Sequence, residues 1–223
     1  MKLEFTEIDL QKWSRAPYFQ LYTQMIPTGF NVCVDLDVTK TYEYFKEKGY
    51  KFAAGYRYIV MKLINHEEYF RIAVKDGKLG YYNHLVPSYA NFHEDDQTTS
   101  VMWVDYEEDF QIFYNQYIEE EKKYKDVHGI LAKPGMPPEN SCMVGVLPWT
   151  SFTSYSPVPY ASSTQYFPVL QSGKFKIVDG KRMMPFSITV HHAVVDGYQV
   201  SQYLEELQEA LNAPETWTGG FII

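Results

Sequence analysis

The sequence has little cysteine and no long apolar run. Its two cysteines, Cys33 and Cys142, stand far apart in apolar stretches. They predict buried reduced thiols and exclude a disulfide framework. No segment reaches the length that a signal peptide core or a membrane-spanning helix needs. We therefore expect a cytoplasmic protein that is neither exported nor inserted into a membrane.

Positive charge is also scarce, since the formal net charge is −8 and the pI is near 5.3. Such a chain repels phosphate backbones and anionic lipid surfaces, which argues against a nucleic-acid or membrane partner. An anionic cofactor would need a local basic patch. The notable cluster is formed by Lys174, Lys176, Lys181 and Arg182. The same cluster is equally well interpreted as a solvated hairpin.

Motifs for metals, nucleotides and serine hydrolysis are missing. There is no Cys-x-x-Cys or His-x-x-x-His pair, and His66, His84, His93 and His128 are scattered, so we expect no metal site. Phosphate-loop and dinucleotide fingerprints are absent, as is the Gly-x-Ser-x-Gly elbow of serine hydrolases.

Two Asp-Gly pairs predict β-hairpins. Asp76-Gly77 and Asp179-Gly180 each separate two β-prone segments, and Asp-Gly supplies the positive φ angles that a tight turn needs. The second hairpin runs directly into a pair of histidines. Because helical and strand patterns alternate along the chain, we predict a mixed α/β protein, an α+β two-layer sandwich with helices packed on a largely antiparallel sheet. We expect one domain over residues 1–223.

The periodicity of apolar residues predicts the other elements. A strand over Phe30–Val38 leads into a helix that starts near Thr39 and stops at Gly49. Further helices are predicted over about 51–65, over 110–124, where we interpret an aromatic stripe as core, and over about 200–211. We expect the tail, 216–223, to form a short edge strand.

The segment HHAVVDG at 191–197 carries the chemistry, because it lies between a predicted strand and a predicted helix. Alternate strand residues share a face, so His192 lies with Ile188 and Val190, whereas His191 points the other way and cannot share an ion with it. Apolar surroundings disfavour the imidazolium, which predicts a neutral His192 that can accept a proton as a general base. The alternative is a satisfied core histidine followed by a helix-capping aspartate.

His-His-x-x-x-Asp-Gly resembles the signature of the coenzyme A-dependent acyltransferase superfamily, which includes chloramphenicol acetyltransferases, dihydrolipoyl acyltransferases and carnitine acyltransferases. Two other segments narrow the resemblance to the chloramphenicol acetyltransferase family. They are Trp13-Ser14-Arg15 with Phe19 and Tyr22, and LPWTSFTS at 147–154. Length and motif order agree, so the resemblance covers nearly the whole chain.

The resemblance implies an O-acetyltransferase that moves an acetyl group from acetyl-coenzyme A to a hydroxyl of chloramphenicol or a related small alcohol, the reaction of antibiotic resistance. It makes His192 the base, and it pairs Asp196 with Arg15 as a structural brace and not as a relay to the histidine. It places Tyr22 and Phe30 in the acceptor pocket.

The resemblance also implies a homotrimer whose active sites lie between subunits. It places Trp149 near the cofactor channel. Core packing is the alternative for this residue and for the two acceptor-pocket aromatics.

Two positions depart from the family pattern. Gly145 stands where the family has a serine whose hydroxyl steadies the tetrahedral oxyanion, and Gln171 stands where it has a threonine that holds a water. Losing one such hydrogen bond costs about 10²–10³ in turnover, unless water, a backbone amide, Thr150 or Ser151 replaces it. We therefore expect acyl transfer to survive, and chloramphenicol to be a poor acceptor.

Two other functions stay open. A dihydrolipoyl acyltransferase core shares the histidine motif, but such chains carry a lipoyl domain and a flexible linker before the core, whereas Met1 here begins almost directly on a strand. A ligand-binding protein that has kept the fold and lost turnover would explain Gly145 and Gln171.

Overall fold

Ten β-strands and five α-helices lie within residues 2–157 and 166–219, the part of the chain that this computed structural model describes. The strands are β1 (Phe5–Glu7), β2 (Gly29–Asp37), β3 (Ile72–Lys75), β4 (Lys78–Tyr82), β5 (Val86–Phe92), β6 (Thr99–Trp103), β7 (Ser141–Leu147), β8 (Val169–Gly173), β9 (Lys176–Val178) and β10 (Lys181–His191). The helices are α1 (Ala16–Gln20), α2 (Thr39–Lys48), α3 (Phe52–His66), α4 (Phe110–Tyr124) and α5 (Gly197–Asn212).

The strands form two sheets. The larger one has the order β2-β10-β8-β7-β5-β6, with β9 paired to β10, and the smaller one has the order β1-β4-β3. Strand β7 is parallel to both of its neighbours, whereas the other pairings between the ten strands are antiparallel. The predicted architecture, a mixed and largely antiparallel sheet packed with helices, is confirmed.

Both predicted hairpins are present. Asp76 and Gly77 join β3 to β4 with φ angles of 51° and 77°, and Asp179 and Gly180 join β9 to β10 with φ angles of 49° and 78°. Such paired positive angles twist the strands in the sense that an antiparallel ladder needs. The second turn therefore starts the long strand β10, which ends at His191.

The helices cover one face of the larger sheet. Tyr56 of α3 and Tyr203 of α5 both pack on Phe186 of β10, with ring centroids 6.4 Å apart in each pair. Helix α2 ends at Gly49, which caps it in the left-handed conformation, as predicted. The predicted helices over about 51–65, 110–124 and 200–211 correspond to α3, α4 and α5.

The predicted edge strand at the C-terminus is wrong for the residues that the structure describes. Pro214–Thr216 is a 3₁₀ turn, and residues 217–219 form a further turn. The indole of Trp217 is buried and donates its Nε1–H to the carbonyl of Ala210 over 2.8 Å, so this segment packs under the helices and not along a sheet edge. The rest of the predicted strand, 220–223, lies outside the described residues.

Within the described ranges, none of the helices combines the length and the apolar composition that crossing a bilayer requires.

Candidate active site

The backbone around His192 is fixed by strand β2. His191, the last residue of β10, pairs with Gly29, and the N–H of His192 donates to the carbonyl of Thr28 over 2.9 Å. The chain then turns through residues 192–196 into α5. Strand pairing therefore determines where the imidazole is presented.

Two aromatic rings enclose the His192 side chain. Tyr22 stacks on it with centroids 4.1 Å apart and planes 12° apart, and Phe30 meets it edge-on at 5.1 Å. Tyr22 comes from a π-helical segment, Leu21–Met25, that continues α1. About a quarter of the His192 side chain stays exposed, 26%. The imidazole is therefore held flat between rings while one edge remains reachable.

The Nδ1 atom of His192 faces two acceptors. The carbonyl oxygen of Val195 lies 3.2 Å away, and Oδ1 of Asp196 lies 3.1 Å away. Because neither acceptor can donate, Nδ1 must carry the proton of a neutral ring, and the lone pair is then on Nε2. The Val195 carbonyl was missed in the sequence, since any residue type supplies the same backbone oxygen.

Arg15 braces the turn with four hydrogen bonds. Its guanidinium donates to both carboxylate oxygens of Asp196 over 2.7 and 2.8 Å, to the carbonyl of His192 over 2.7 Å, and to the carbonyl of Ala193 over 3.0 Å. Bidentate pairing of this kind fixes direction as well as charge. The hydrogen bond from Arg15 lowers the pKa of Asp196.

Asp196 does more than the resemblance implied. The expected pair with Arg15 is present, but Oδ1 also contacts His192 Nδ1, a contact that we did not expect. Asp196 further precedes α5 as its N-cap residue, and its own N–H donates to the Gln199 side chain over 2.9 Å. The arginine, the aspartate and the histidine thus form one connected unit.

His191 belongs to a different environment. Its Nδ1 accepts the N–H of Ala193 over 3.1 Å, and its ring meets Tyr166 edge-on with centroids 5.0 Å apart. Burial lowers the pKa of His191, with a smaller contribution from the nearby His192. The two histidines therefore have separate sets of partners, as the strand alternation predicted.

The two departures from the family pattern are in contact. Gly145 of β7 pairs with Gln171 of β8, and an ideal Cβ on Gly145 would lie 2.1 Å from Oε1 of Gln171. The Gln171 side chain is buried, and its Nε2 donates to the carbonyl of Ser172 over 3.1 Å. The glutamine amide therefore fills the space that a serine side chain at 145 would need.

This pair lies away from His192 within one chain. Gln171 is in register with Ser187 of β10, and His192 follows five residues further along that strand direction. Five extended residues span about 16 Å. Trp149 is 59% exposed and packs edge-on against Phe92 with centroids 4.7 Å apart. The structure thus unites His192 with Arg15, Asp196, Tyr22 and Phe30, and keeps Gly145 and Gln171 apart from them.

Two of the four residues in the basic cluster near the second hairpin form ion pairs. Lys176 forms an ion pair with Asp35 over 3.1 Å, and Lys181 forms one with Asp37 over 3.2 Å. The guanidinium of Arg182 lies 3.7 Å from the centroid of the Tyr42 ring. Two of the four cations are thus paired with carboxylates, which favours the interpretation as a solvated hairpin.

His128 lies between two exposed carboxylates. Its Nδ1 is 2.8 Å from Asp96 and its Nε2 is 3.4 Å from Asp95, and the hydrogen bond that His128 donates to Asp96 raises the pKa of His128. Ligand atoms of the three residues lie within 4.8 Å of one another, although all three are exposed. Their geometry is explained by the ion pairs themselves, and our expectation of no metal site stays a prediction.

The fold is that of known acetyltransferases. A solved chloramphenicol acetyltransferase superposes with a TM-score of 0.79 and 21% identity, over 93% of this chain and 100% of that chain. A dihydrolipoamide acetyltransferase of Azotobacter vinelandii superposes with a TM-score of 0.62 and 15% identity, over 90% and 88%. At these identities both likenesses concern the fold.

Sequence comparison is more specific. Residues 3–208 match the family model described as "Chloramphenicol acetyltransferase". A chloramphenicol acetyltransferase of Clostridium perfringens is 35% identical over 218 residues, 97% of this chain and 99% of the relative. One of Proteus mirabilis is 36% identical over 203 residues, 91% and 92%. The chain is therefore an acyltransferase that acts on a small molecule. It belongs to the chloramphenicol acetyltransferase family.

Proposed function

We propose that the protein transfers an acetyl group from acetyl-coenzyme A to a hydroxyl of chloramphenicol or a related small alcohol, with His192 as the general base. The observation that carries this proposal is the pair of acceptors, Val195 O and Asp196 Oδ1, on Nδ1 of His192. They hold the tautomer whose free Nε2 can take a proton. We further propose that residues 1–223 form one acyltransferase domain.

The proton moves through Nε2 of His192. As the acceptor hydroxyl gives up its proton to this atom, its oxygen bonds to the thioester carbon, which forms a tetrahedral oxyanion. The carbon–sulfur bond then breaks, and the imidazolium returns the proton to the departing thiolate. Asp196 Oδ1 lies 3.1 Å from the Nδ1 atom of this ring, and the Arg15 guanidinium holds the carboxylate in that position.

Substrate contacts are proposed from two regions of the fold. Tyr22 and Phe30 line the acceptor pocket next to His192, and Gly145 and Gln171 line the opposite wall. Trp149, exposed beside Phe92, lies near the path of acetyl-coenzyme A. Because about 16 Å of strand separates the two walls in one chain, we propose a homotrimer in which one copy supplies the histidine and its neighbour supplies the other wall.

The test is thiol release from acetyl-coenzyme A, with chloramphenicol and a panel of small alcohols as acceptors. His192→Ala should lower turnover by about 10²–10⁴, the contribution of a general base. His66→Ala is the matched control, because this histidine is 79% exposed and pairs only with a neighbouring glutamate among the described residues. Release that persists unchanged in His192→Ala, or that no acceptor stimulates, would contradict the proposal.

A ligand-binding homologue is the second candidate, and the contact between Gly145 and Gln171 favours it. The buried Gln171 amide fills the place where the family hydroxyl would lie, so the oxyanion has lost its expected donor. Such a protein would bind chloramphenicol equally well with and without His192 and release no thiol. Adding dihydrolipoamide to the panel of acceptors tests the third function, because a dihydrolipoyl acyltransferase core would transfer the acetyl group to it.

A further inference from the structure

A cavity of about 180 Å³ lies between the start of α3, strands β5 and β6, and the C-terminal half of α4. We call it the Arg57 cavity and define it by Ala53, Arg57, Tyr89, Asn91, Tyr117 and Lys125. It lies on a different part of the fold from the His192 turn. No step of the proposed acyl transfer uses it.

Arg57 is a buried cation with unused hydrogen-bonding capacity. Only 5% of the residue is exposed, and its Nε–H has no hydrogen-bond partner among the residues that the structure describes. Its Nη1 group is hydrogen-bonded and donates to the carbonyl of Ala53 over 3.2 Å and to Tyr117 Oη over 3.1 Å. None of the ion pairs among the described residues includes Arg57. Burying a guanidinium is unfavourable unless its charge and its N–H groups find partners.

Aromatic rings supply part of that compensation. The guanidinium carbon lies 4.1 Å from the centroid of Tyr89 and 5.6 Å from that of Tyr117. Ring faces stabilise the positive charge but accept no N–H in the guanidinium plane. The hydroxyl of Tyr89 is also buried and has no hydrogen-bond partner within the described part of the chain. Because burial raises the pKa of Tyr89, this hydroxyl stays protonated and adds a second unused donor.

The charges around the cavity favour an anion. Glu121 carries the only carboxylate among the described lining residues, and it forms an ion pair with Lys51. Lys125 adds an ammonium, whose contact with Asp126 spans 3.6 Å at the surface. The local balance is therefore positive, in a chain whose net charge is −8.

We propose that the Arg57 cavity binds one phosphate-sized oxyanion. The guanidinium fork matches the oxygens of phosphate, and the buried tyrosine hydroxyl adds a neutral donor. A cavity of this volume holds one tetrahedral oxyanion with a few waters, since each water takes about 30 Å³ in the liquid. The source is either free phosphate or a phosphate group of coenzyme A. The inference does not depend on acyl transfer.

Calorimetric titration of the purified protein with inorganic phosphate, at constant ionic strength set with chloride, tests this directly. We expect one saturable site per chain. Arg57→Lys keeps a positive charge but loses the fork, and it should weaken binding by about 10- to 100-fold, the range for charge-assisted hydrogen bonds. Tyr89→Phe should weaken it less, and it keeps the ring that covers the guanidinium.

Arg182→Lys is the matched control, because Arg182 also lies over a tyrosine ring but outside this cavity, and it should bind phosphate as the parent does. Absence of a saturable site, or equal affinity in the parent, Arg57→Lys and Tyr89→Phe proteins, would overturn the proposal. Titration of the phosphate-bound protein with coenzyme A then identifies the source of the oxyanion. If coenzyme A displaces phosphate, the cavity binds a phosphate group of coenzyme A; if both bind together, it binds free phosphate.

Discussion

Arg15 and Asp196 link the stability of the histidine turn to pH. The arginine lowers the pKa of the Asp196 carboxyl in the folded protein, so the unfolded chain binds this proton more readily. The stabilisation is therefore complete above the unfolded pKa of about 3.9 and is lost as pH falls through the lower folded value. Asp196→Asn removes this dependence. The melting temperatures of parent and variant should differ most above pH 5 and converge at lower pH.

Thermal unfolding between pH 2.5 and 7 measures this convergence. Glu7→Gln is the control, because Glu7 pairs with Lys78 at an exposed site, with side chains 56% and 63% exposed. Pairs of that kind contribute little to stability. A melting difference for Asp196→Asn that stays constant over the whole range would show that the turn does not depend on this ion pair.

Gly145 and Gln171 should behave as one unit under mutation. Gly145→Ser places a Cβ where the Gln171 amide lies, so alone it should destabilise the protein, and Gln171→Thr alone leaves space unfilled. The double variant should recover part of both losses, with a coupling free energy of about 0.5–3 kcal/mol. Urea unfolding of the four proteins measures it. As a control, the effects of Gly145→Ser and of Gln208→Ser, which lies on α5, on the free energy of unfolding should add. Additive effects of Gly145→Ser and Gln171→Thr would contradict the contact.

At the scale of elements, α2 and α3 meet where Gly55 faces Phe45. An ideal Cβ on Gly55 would lie 1.8 Å from Cε2 of Phe45, whose ring is fully buried. Gly55→Ala should therefore cost about 1–3 kcal/mol in overpacking, which is at least as large as the gain of about 1 kcal/mol in helix propensity. In a protein that already carries Phe45→Leu, the clash is relieved, so Gly55→Ala should lower the free energy of unfolding by less than it does in the parent. A higher free energy of unfolding for Gly55→Ala would contradict this packing.

Local signals explain which elements could be predicted. The Asp-Gly turns and the helical spacing of apolar residues are properties of adjacent residues, and so is the motif that contains His192 and Asp196. The π-helical segment Leu21–Met25 could not be predicted, because its hydrogen-bond period is not encoded in residue type. The contact of Gly145 with Gln171 depends on the register of two strands, which one sequence does not reveal.

At the scale of the whole molecule, the proposed division of the active site between two walls implies that each site needs more than one copy of the chain. Apolar side chains are exposed around the His192 turn, including Tyr18, Met25 and Tyr198, which are 53–74% exposed. We expect a neighbouring copy to cover these side chains in the proposed trimer. A trimer would have three times the chain mass of 26.1 kDa, which analytical ultracentrifugation measures.

Mixing inactive chains tests the shared site itself. His192→Ala removes the base, and Gly145→Trp fills the opposite wall, so each homogeneous protein should be inactive. If one copy supplies the histidine and its neighbour supplies the wall, random co-assembly in equal amounts restores about a quarter of the sites, because each must draw both intact parts from different copies. The measurement compares thiol release by co-expressed chains with thiol release by chains that are purified separately and mixed without exchange of subunits. If each chain contained a complete site, co-assembly would restore no activity, since every chain would carry one of the two lesions.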